Sequence, residues 1–245
     1  MKDVILIHCP IILYNDEAEK KRYRGHGGDE RSVYPMGILY IAACLERAGH
    51  SVRVIDVSPE GHTIQDLLKI IEEERPGIVG LSAMTTSISS AVSLASAIKG
   101  KFRDDVLVGL GGVHLRCDPG FMDRFPIFDF GVTGEAEKTF GDIVRRVKAG
   151  EKVRGIIAGE LIKDLDALPF PARHLINPAI YLREEQMKFE IPAAGILGSR
   201  GCPYGCGFCC IPAIGKSVRL RSPENVVDEM ESVYDQCRGS YHFLD

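Results

Sequence analysis

Cys202, Cys206 and Cys209 are the residues of this chain best suited to demanding chemistry. They stand at C-x3-C-x2-C spacing in Cys202-Pro203-Tyr204-Gly205-Cys206-Gly207-Phe208-Cys209. Three thiolates on a short loop can converge on one metal centre, and the glycines let the backbone wrap closely around it. Three ligands rather than four would leave one iron of a four-iron cluster open to a substrate. No Asp or Glu occurs from Ile191 to Pro223, whereas Arg200, Lys216, Arg219 and Arg221 do. A positive field of that kind favours thiolates and an anionic centre. The competing reading is a zinc knuckle completed by Cys210, Cys237 or His242. Zinc sites usually show paired C-x2-C units, and here there is one triple without a partner pair. Cys210 reads as a spare, and Cys9, Cys44 and Cys237 as buried thiols.

The segments around this loop must position it. Ala194 to Gly198 reads as a strand running directly into the cysteines. Pro223 and Glu224 open a helix carrying Val226, Val227, Met230 and Val233, and Tyr241 to Leu244 starts another strand. This is the pattern of one βαβ unit. Ahead of it the chain alternates short apolar runs with amphipathic helices. Strands are expected at Val4–Ile7, Val52–Ile55, Ile78–Ser82, Val106–Val108 and Asp129–Val132. Helices are expected over 35–48, from the N-cap Thr63, from Ile88, and over 135–149.

Five strands separated by helices imply an α/β fold, a parallel, Rossmann-like (flavodoxin-like) sheet covered on both faces with right-handed crossovers. Ligands of such sheets bind beyond the carboxyl ends of the strands. That singles out the loops carrying Ser82 and Thr85, Gly111, Gly112 and His114, and Gly134 and Glu135. Gly111 and Gly112 would let a bulky group approach the backbone, beside the Ser82 and Thr85 hydroxyls. The plainer readings are a tight turn for the glycines, a solvent-facing loop residue for His114, and a helix N-terminal acid for Glu135. A dinucleotide-binding reading is poorer, because His8-Cys9-Pro10 follows the first strand where G-x-G-x-x-G belongs. The long loop from Cys9 to Tyr34, with Gly25, Gly27 and Gly28, is a functional candidate by its length. The organisation expected is a domain over 1–150, a linker over 151–192 that docks across a surface, and a second domain opening over 193–245.

Composition bounds the partners. The chain has 245 residues, 45% hydrophobic and 26% charged, with 30 Lys and Arg against 34 Asp and Glu and a net charge of −4. This excludes a disordered chain, and it supplies no basic field to hold nucleic acid. No apolar run approaches the roughly 18–20 residues of a membrane span. The N-terminus lacks a signal-peptide pattern, so a cytoplasmic location is expected. In that compartment eight cysteines are expected to serve as ligands or thiols rather than disulfides.

The cysteine loop resembles the cluster motif C-x3-C-x-aromatic-C of the radical S-adenosylmethionine enzymes, with Phe208 in the aromatic position and Ser199-Arg200-Gly201-Cys202-Pro203 as the lead-in. Arg219-Leu220-Arg221-Ser222-Pro223-Glu224-Asn225-Val226-Val227 resembles the segment after the cluster in the cobalamin-dependent branch. Tyr34-Pro35-Met36-Gly37-Ile38-Leu39-Tyr40, Ala48-Gly49-His50, Gly111-Gly112-Val113-His114 and Thr133-Gly134-Glu135-Ala136-Glu137 resemble that branch's cobalamin-binding domain. The resemblance implies a [4Fe-4S] cluster on Cys202, Cys206 and Cys209, which binds S-adenosylmethionine and cleaves it reductively to a 5′-deoxyadenosyl radical. It implies cobalamin near Ser82, Thr85, Gly111, Gly112, His114, Gly134 and Glu135, with Tyr204 and Phe208 beside the cluster. The D-x-H-x-x-G motif for an axial histidine is absent, so no such ligand is expected. The implied reaction is methyl transfer to an unactivated centre of a small-molecule or peptide substrate, with an electron donor such as flavodoxin or ferredoxin. The second domain would be the first βαβ part of a radical S-adenosylmethionine partial TIM barrel, the chain stopping early in it. Two alternatives stay open: a cobalamin-binding module without radical activity of its own, and a zinc-stapled structural domain.

Overall fold

Each short apolar run becomes a strand because both of its faces are covered, and each helix lies on the sheet by its apolar stripe. The computed structural model describes residues 2–23, 34–118, 120–177, 181, 194–209, 217–237 and 239–244. Gly25, Gly27, Gly28, Cys210, Lys216 and most of the stretch before Ala194, all singled out above, lie outside them.

Strands β1 (Val4–His8), β2 (Val52–Asp56), β3 (Ile78–Ser82), β4 (Leu107–Gly111), β5 (Phe130–Thr133) and β6 (Gly155–Ala158) form one sheet in the order β2-β1-β3-β4-β5-β6. Every pair is parallel. The doubly wound architecture is therefore as expected, with one strand more. β6 falls in the stretch read as a linker. It is an edge strand, mostly exposed, held by its ladder to β5 rather than by burial, so it carries little apolar signal.

Helices α2 (Met36–Arg47) and α8 (Thr139–Lys148) cover one face, and α4 (Ile64–Glu74) and α5 (Ile88–Phe102) the other. Short helices α1 (Glu17–Tyr23), α3 (Val57–Glu60), α6 (Val113–Cys117) and α7 (Phe121–Arg124) fill the connections. The Thr63 hydroxyl accepts from the Asp66 N–H while the Asp66 carboxylate accepts from the Thr63 N–H, a capping box that starts α4. Gly49, at φ +82°, ends the α2 turn. The last helix of the domain begins at Thr139, later than Glu135, because Gly134 takes φ +95° and the Glu135 carboxylate is drawn into other bonds.

After β6 the chain runs back over the α2 face, burying Leu165, Leu168, Ala172 and Ile176. The Ala172 N–H donates to the Leu39 carbonyl at 3.1 Å. The second unit follows: β7 (Ala194–Ile196), the two-stranded antiparallel pair β8 (Ser199–Arg200) and β9 (Arg219–Leu220), α9 (Pro223–Ser232), α10 (Tyr234–Cys237) and β10 (Tyr241–Phe243). β7 and β10 pair in parallel across α9, giving the expected βαβ unit. Ser222 caps α9 by accepting the Asn225 N–H, with Pro223 in its first turn.

The expectation about cysteines needs one correction. Cys9, Cys44, Cys202, Cys206, Cys209 and Cys237 form no disulfide, but Cys117 is disulfide-bonded. A compartment argument is statistical and does not govern one pair that a fold brings together. Among the described residues no helix is long and apolar enough to cross a membrane.

The two units meet at a buried ion cluster. Glu229 of α9 is fully buried; its Oε1 accepts from Arg173 at 2.6 Å, and its Oε2 accepts from Arg221. Arg173 also donates to the Gly195 carbonyl at 2.6 Å, and Arg221 to the Leu197 carbonyl at 2.9 Å. Removing the one acid would strand two buried guanidinium groups. We expect Glu229→Ala to cost about 3–5 kcal/mol, read as a lower urea midpoint with α9 and β7 losing amide-exchange protection first.

Candidate functional site

Parallel register lines up Asp56, His8, Ser82 and Gly111 side by side at the carboxyl edge of the sheet. One row below are Leu6, Gly80 and Gly109. The two strand glycines leave room for neighbouring rings. A Cβ on Gly80 would lie 3.1 Å from Phe140 Cζ, and one on Gly109 would lie 2.4 Å from Phe130 Cζ. Above them, between the sheet and helices α2 and α8, is a cavity of about 280 Å3. Ser82, Gly111, Gly112, Gly134 and Glu135 line it, so five of the residues expected to bind a cofactor are gathered in one place. Gly37, Ile38 and Ile41 of α2 form another wall.

The two loop glycines play different parts. Gly112 takes φ +95°, and a Cβ there would sit 2.3 Å from the Ala83 carbonyl oxygen. It is needed for the close crossing of the β3 and β4 loops, the tight-turn role. Gly111 has only the Leu81 carbonyl oxygen at 4.0 Å from its would-be Cβ, so it faces open space. Thr85 and His114 are not among the described lining residues. They pair with each other, His114 Nδ1 lying 3.2 Å from Thr85 Oγ1. His114 is buried edge-on against Phe121 at a centroid distance of 4.7 Å, rather than facing solvent, and its Nε2 has no partner. Strand-interior Gly80 and Gly109 also shape the cavity and were not singled out from sequence. A glycine inside a strand is itself a signal of close approach.

Glu135 is the acid whose role the sequence reading left most incomplete. Its Oε1 accepts from Arg219 at 2.8 Å and Arg200 at 3.3 Å; its Oε2 accepts from Arg219 at 2.7 Å and the Ile162 N–H at 2.7 Å. Arg200 also pairs with buried Glu137 at 2.6 Å and lies 5.0 Å over the Tyr40 ring. A bidentate guanidinium–carboxylate pair of this kind fixes orientation as well as charge. The β8–β9 neck of the cysteine loop is thereby clamped to the β5 loop of the sheet. The arginines expected to supply a free positive field are committed to acids instead: Arg200 and Arg219 to Glu135 and Glu137, and Arg221 to Glu229. For Arg200 and Arg219, sequence proximity to the cysteines concealed partners more than 60 positions upstream.

The cysteine loop itself leaves the neck through Gly201, at φ +102°, where a Cβ would meet the Ser217 carbonyl oxygen at 2.3 Å. Cys202 and Cys209 are half-buried and Cys206 is exposed; the Cys209 N–H donates to the Cys206 carbonyl at 3.0 Å. Tyr204 and Phe208 project outward, 70% and 95% exposed. Among the described residues no three His, Cys, Asp or Glu side chains are gathered as a metal site. The donor set, three thiols outside any disulfide on a loop with open space at Gly205 and Gly207, has the chemistry to hold a thiolate-bound centre. The cavity near Gly111 fits one arm of a large cofactor, since about 280 Å3 falls just below the roughly 300–1,000 Å3 of whole ligand sites.

The clamp has a pH signature. Burial raises the Glu135 pKa, but the Arg219 and Ile162 hydrogen bonds and the two guanidinium charges outweigh it, and the net shift is downward. A folded carboxylate with a lowered pKa stabilises above its unfolded value, about 4.3, and loses that contribution as pH falls through the lowered value. We expect amide exchange at β8 and β9 to rise as pH drops below about 4.3 after correction for intrinsic rates. Glu135→Gln should show that exposure already at neutral pH.

Residues 30–144 match the B12 binding domain model. Over 252 aligned residues the chain is 30% identical to an uncharacterized methyltransferase, PH0819, of Pyrococcus horikoshii, covering 96% of this chain and 52% of the relative. In fold it resembles the radical S-adenosylmethionine methyltransferase TsrM of Kitasatospora setae, solved with tryptophan and a SAM analogue. That match has a TM-score of 0.67 and 20% identity over 99% of this chain and 47% of that one. It also resembles the cobalamin-dependent S-adenosylmethionine radical enzyme OxsB, solved with aqua-cobalamin and S-adenosylmethionine. Here the TM-score is 0.71 and the identity 18%, over 100% of this chain and 34% of that one. The chain spans about half the length of the curated relative it matches. A B12 binding domain is thus matched in sequence over residues 30–144, and the doubly wound sheet followed by a βαβ unit is the fold this chain shares with those two enzymes.

Proposed function

We propose that this chain binds cobalamin and a [4Fe-4S] cluster for a cobalamin-dependent radical S-adenosylmethionine enzyme, most simply a methyltransferase acting on an unactivated centre. The observation that carries this reading is the placement of Arg200. Its side chain lines the glycine-walled cavity while its backbone lies two residues before Cys202, so one residue ties the cofactor cavity to the cysteine loop. The names of the matched relatives, two of them methyltransferases, support the choice of reaction.

The residues divide by task. Gly111 and Ser82 offer the open wall and hydroxyl that would receive the cobalamin tail, with Gly134 and the Glu135 backbone closing its rim. Thr85 and His114, a hydrogen-bonded pair at the same edge, would act from behind the cavity lining by holding the β3 and β4 loops together. Cys202, Cys206 and Cys209 would hold the cluster, and the exposed Tyr204 and Phe208 would pack against bound S-adenosylmethionine and shield it from water. When bound, these groups supply one-electron cleavage of S-adenosylmethionine and a carrier for a methyl group. Glu135, Glu137 and Arg200 border the cavity, and with Arg219 they fix the spacing between the two sites. The donor of electrons would be a small redox protein such as flavodoxin or ferredoxin.

The test is anaerobic reconstitution with iron, sulfide and hydroxocobalamin. The chain is expected to retain iron and corrinoid absorbance through gel filtration. Cys206→Ala should lose the cluster absorbance and keep the corrinoid. Gly111→Leu, whose side chain would fill the cavity, should weaken hydroxocobalamin binding at least tenfold, about 1.4 kcal/mol, and keep the iron. One equivalent of zinc with no iron or sulfide would replace this reading with the zinc-stapled one.

A further inference from the structure

A second cavity, of about 400 Å3, lies at the carboxyl ends of β5 and β6. It shares Gly134 and Glu135 with the first but extends toward the sheet edge rather than toward β3 and β4. Its volume is within the range of small-ligand sites. Leu115, Ile156, Ala158 and Leu161 form its walls. Ile156 and Leu161 are 47% and 43% exposed, an unusual cost for two large aliphatic side chains on one rim.

The cavity's one cation among the described residues is Arg116. Arg116 is half-buried, and no carboxylate among the described residues is paired with it. The nearest acid, Glu135, has both oxygens committed to Arg219, Arg200 and the Ile162 N–H. Burial pulls the Arg116 pKa below the ordinary arginine value, with the Glu135 charge opposing; the group stays cationic at neutral pH and has no ion-pair partner of its own among the described residues. A desolvated guanidinium without an acid is costly, and a bound oxyanion would relieve it.

We propose that this cavity binds a small organic monocarboxylate with an apolar body, Arg116 taking the carboxylate and Leu115, Ile156 and Leu161 the body. A phosphate dianion fits less well, because a single guanidinium faces it and the Glu135 charge stands close by. The ligand is distinct from the cofactor proposed for the first cavity, and the site does not depend on that proposal.

Octanoate is the probe, titrated calorimetrically into the purified chain with inorganic phosphate in parallel. Saturable 1:1 octanoate binding is expected, at least tenfold tighter than phosphate. Arg116→Gln should weaken it at least tenfold. Ile156→Trp, at a half-exposed edge position that tolerates size, should do the same by filling the cavity, with circular dichroism confirming the fold. Prior addition of hydroxocobalamin should leave octanoate affinity unchanged, whether or not the chain retains the corrinoid. Absence of saturable binding, equal binding by both variants, or phosphate binding as tightly as octanoate would overturn the assignment. So would competition by hydroxocobalamin, which would give Arg116 to the phosphodiester of that cofactor instead.

Discussion

Two carboxylates and two guanidinium groups, Glu135, Glu137, Arg200 and Arg219, are drawn out of water where the β5 loop meets the neck of the cysteine loop. Charges in that setting are tolerable only when paired with good geometry, and pairing leaves little freedom of position. The register of the β8–β9 neck against the sheet follows from it. So does the path of the chain after β6, because the Ile162 N–H and carbonyl complete the same cluster. The Arg173–Glu229–Arg221 group repeats the principle one layer away and joins α9 to the segment that crosses α2. Between them these two clusters set how the sheet and the opening βαβ unit lie together.

The cavity beside the first cluster arises from missing side chains rather than from a special architecture. Gly80 and Gly109 give space to Phe140 and Phe130, Gly112 lets two loops cross, and Gly111 is left facing open volume. Each of these positions sits at or just below the carboxyl edge, where the strand order places ligand sites in this kind of sheet. Arg200 spans the distance from that volume to the cysteines. The thiols form no disulfide and are not gathered, whereas their neck is held by ion pairs. The arrangement suits a loop that closes on its own ligand while its distance from the sheet is already set.

Much of the fold was legible because its signals are local. Short runs rich in apolar residues announced β1 to β3, Thr63 announced the start of α4, and Pro223-Glu224 that of α9. β6 escaped because an edge strand needs only one partner and little burial. The late start of α8 escaped because Glu135, placed where a helix acid belongs, is diverted by Arg219. The site was legible in part. Ser82, Gly111, Gly112, Gly134 and Glu135 were found from loop position and do share a cavity, while Thr85 and His114 turned to each other. Gly80 and Gly109 carried a readable signal, glycine inside a strand, that went unused.

The amino-acid sequence by itself determined the alternation of elements, the cysteine spacing and the resemblance that names the cofactors, because periodicity, capping and motif spacing act over a few residues. Only the tertiary structure decided what the arginines near the cysteines do. Read along the chain they form an unopposed positive field; in space Arg200 and Arg219 meet acids of the distant β5 loop, and Arg221 meets Glu229 of the following helix. A charge's partner is set by the low dielectric of the place where both are buried, and no distance along the sequence records that. The same holds for Arg116, whose lack of an ion-pair partner among the described residues becomes visible only once Glu135 is seen to be taken.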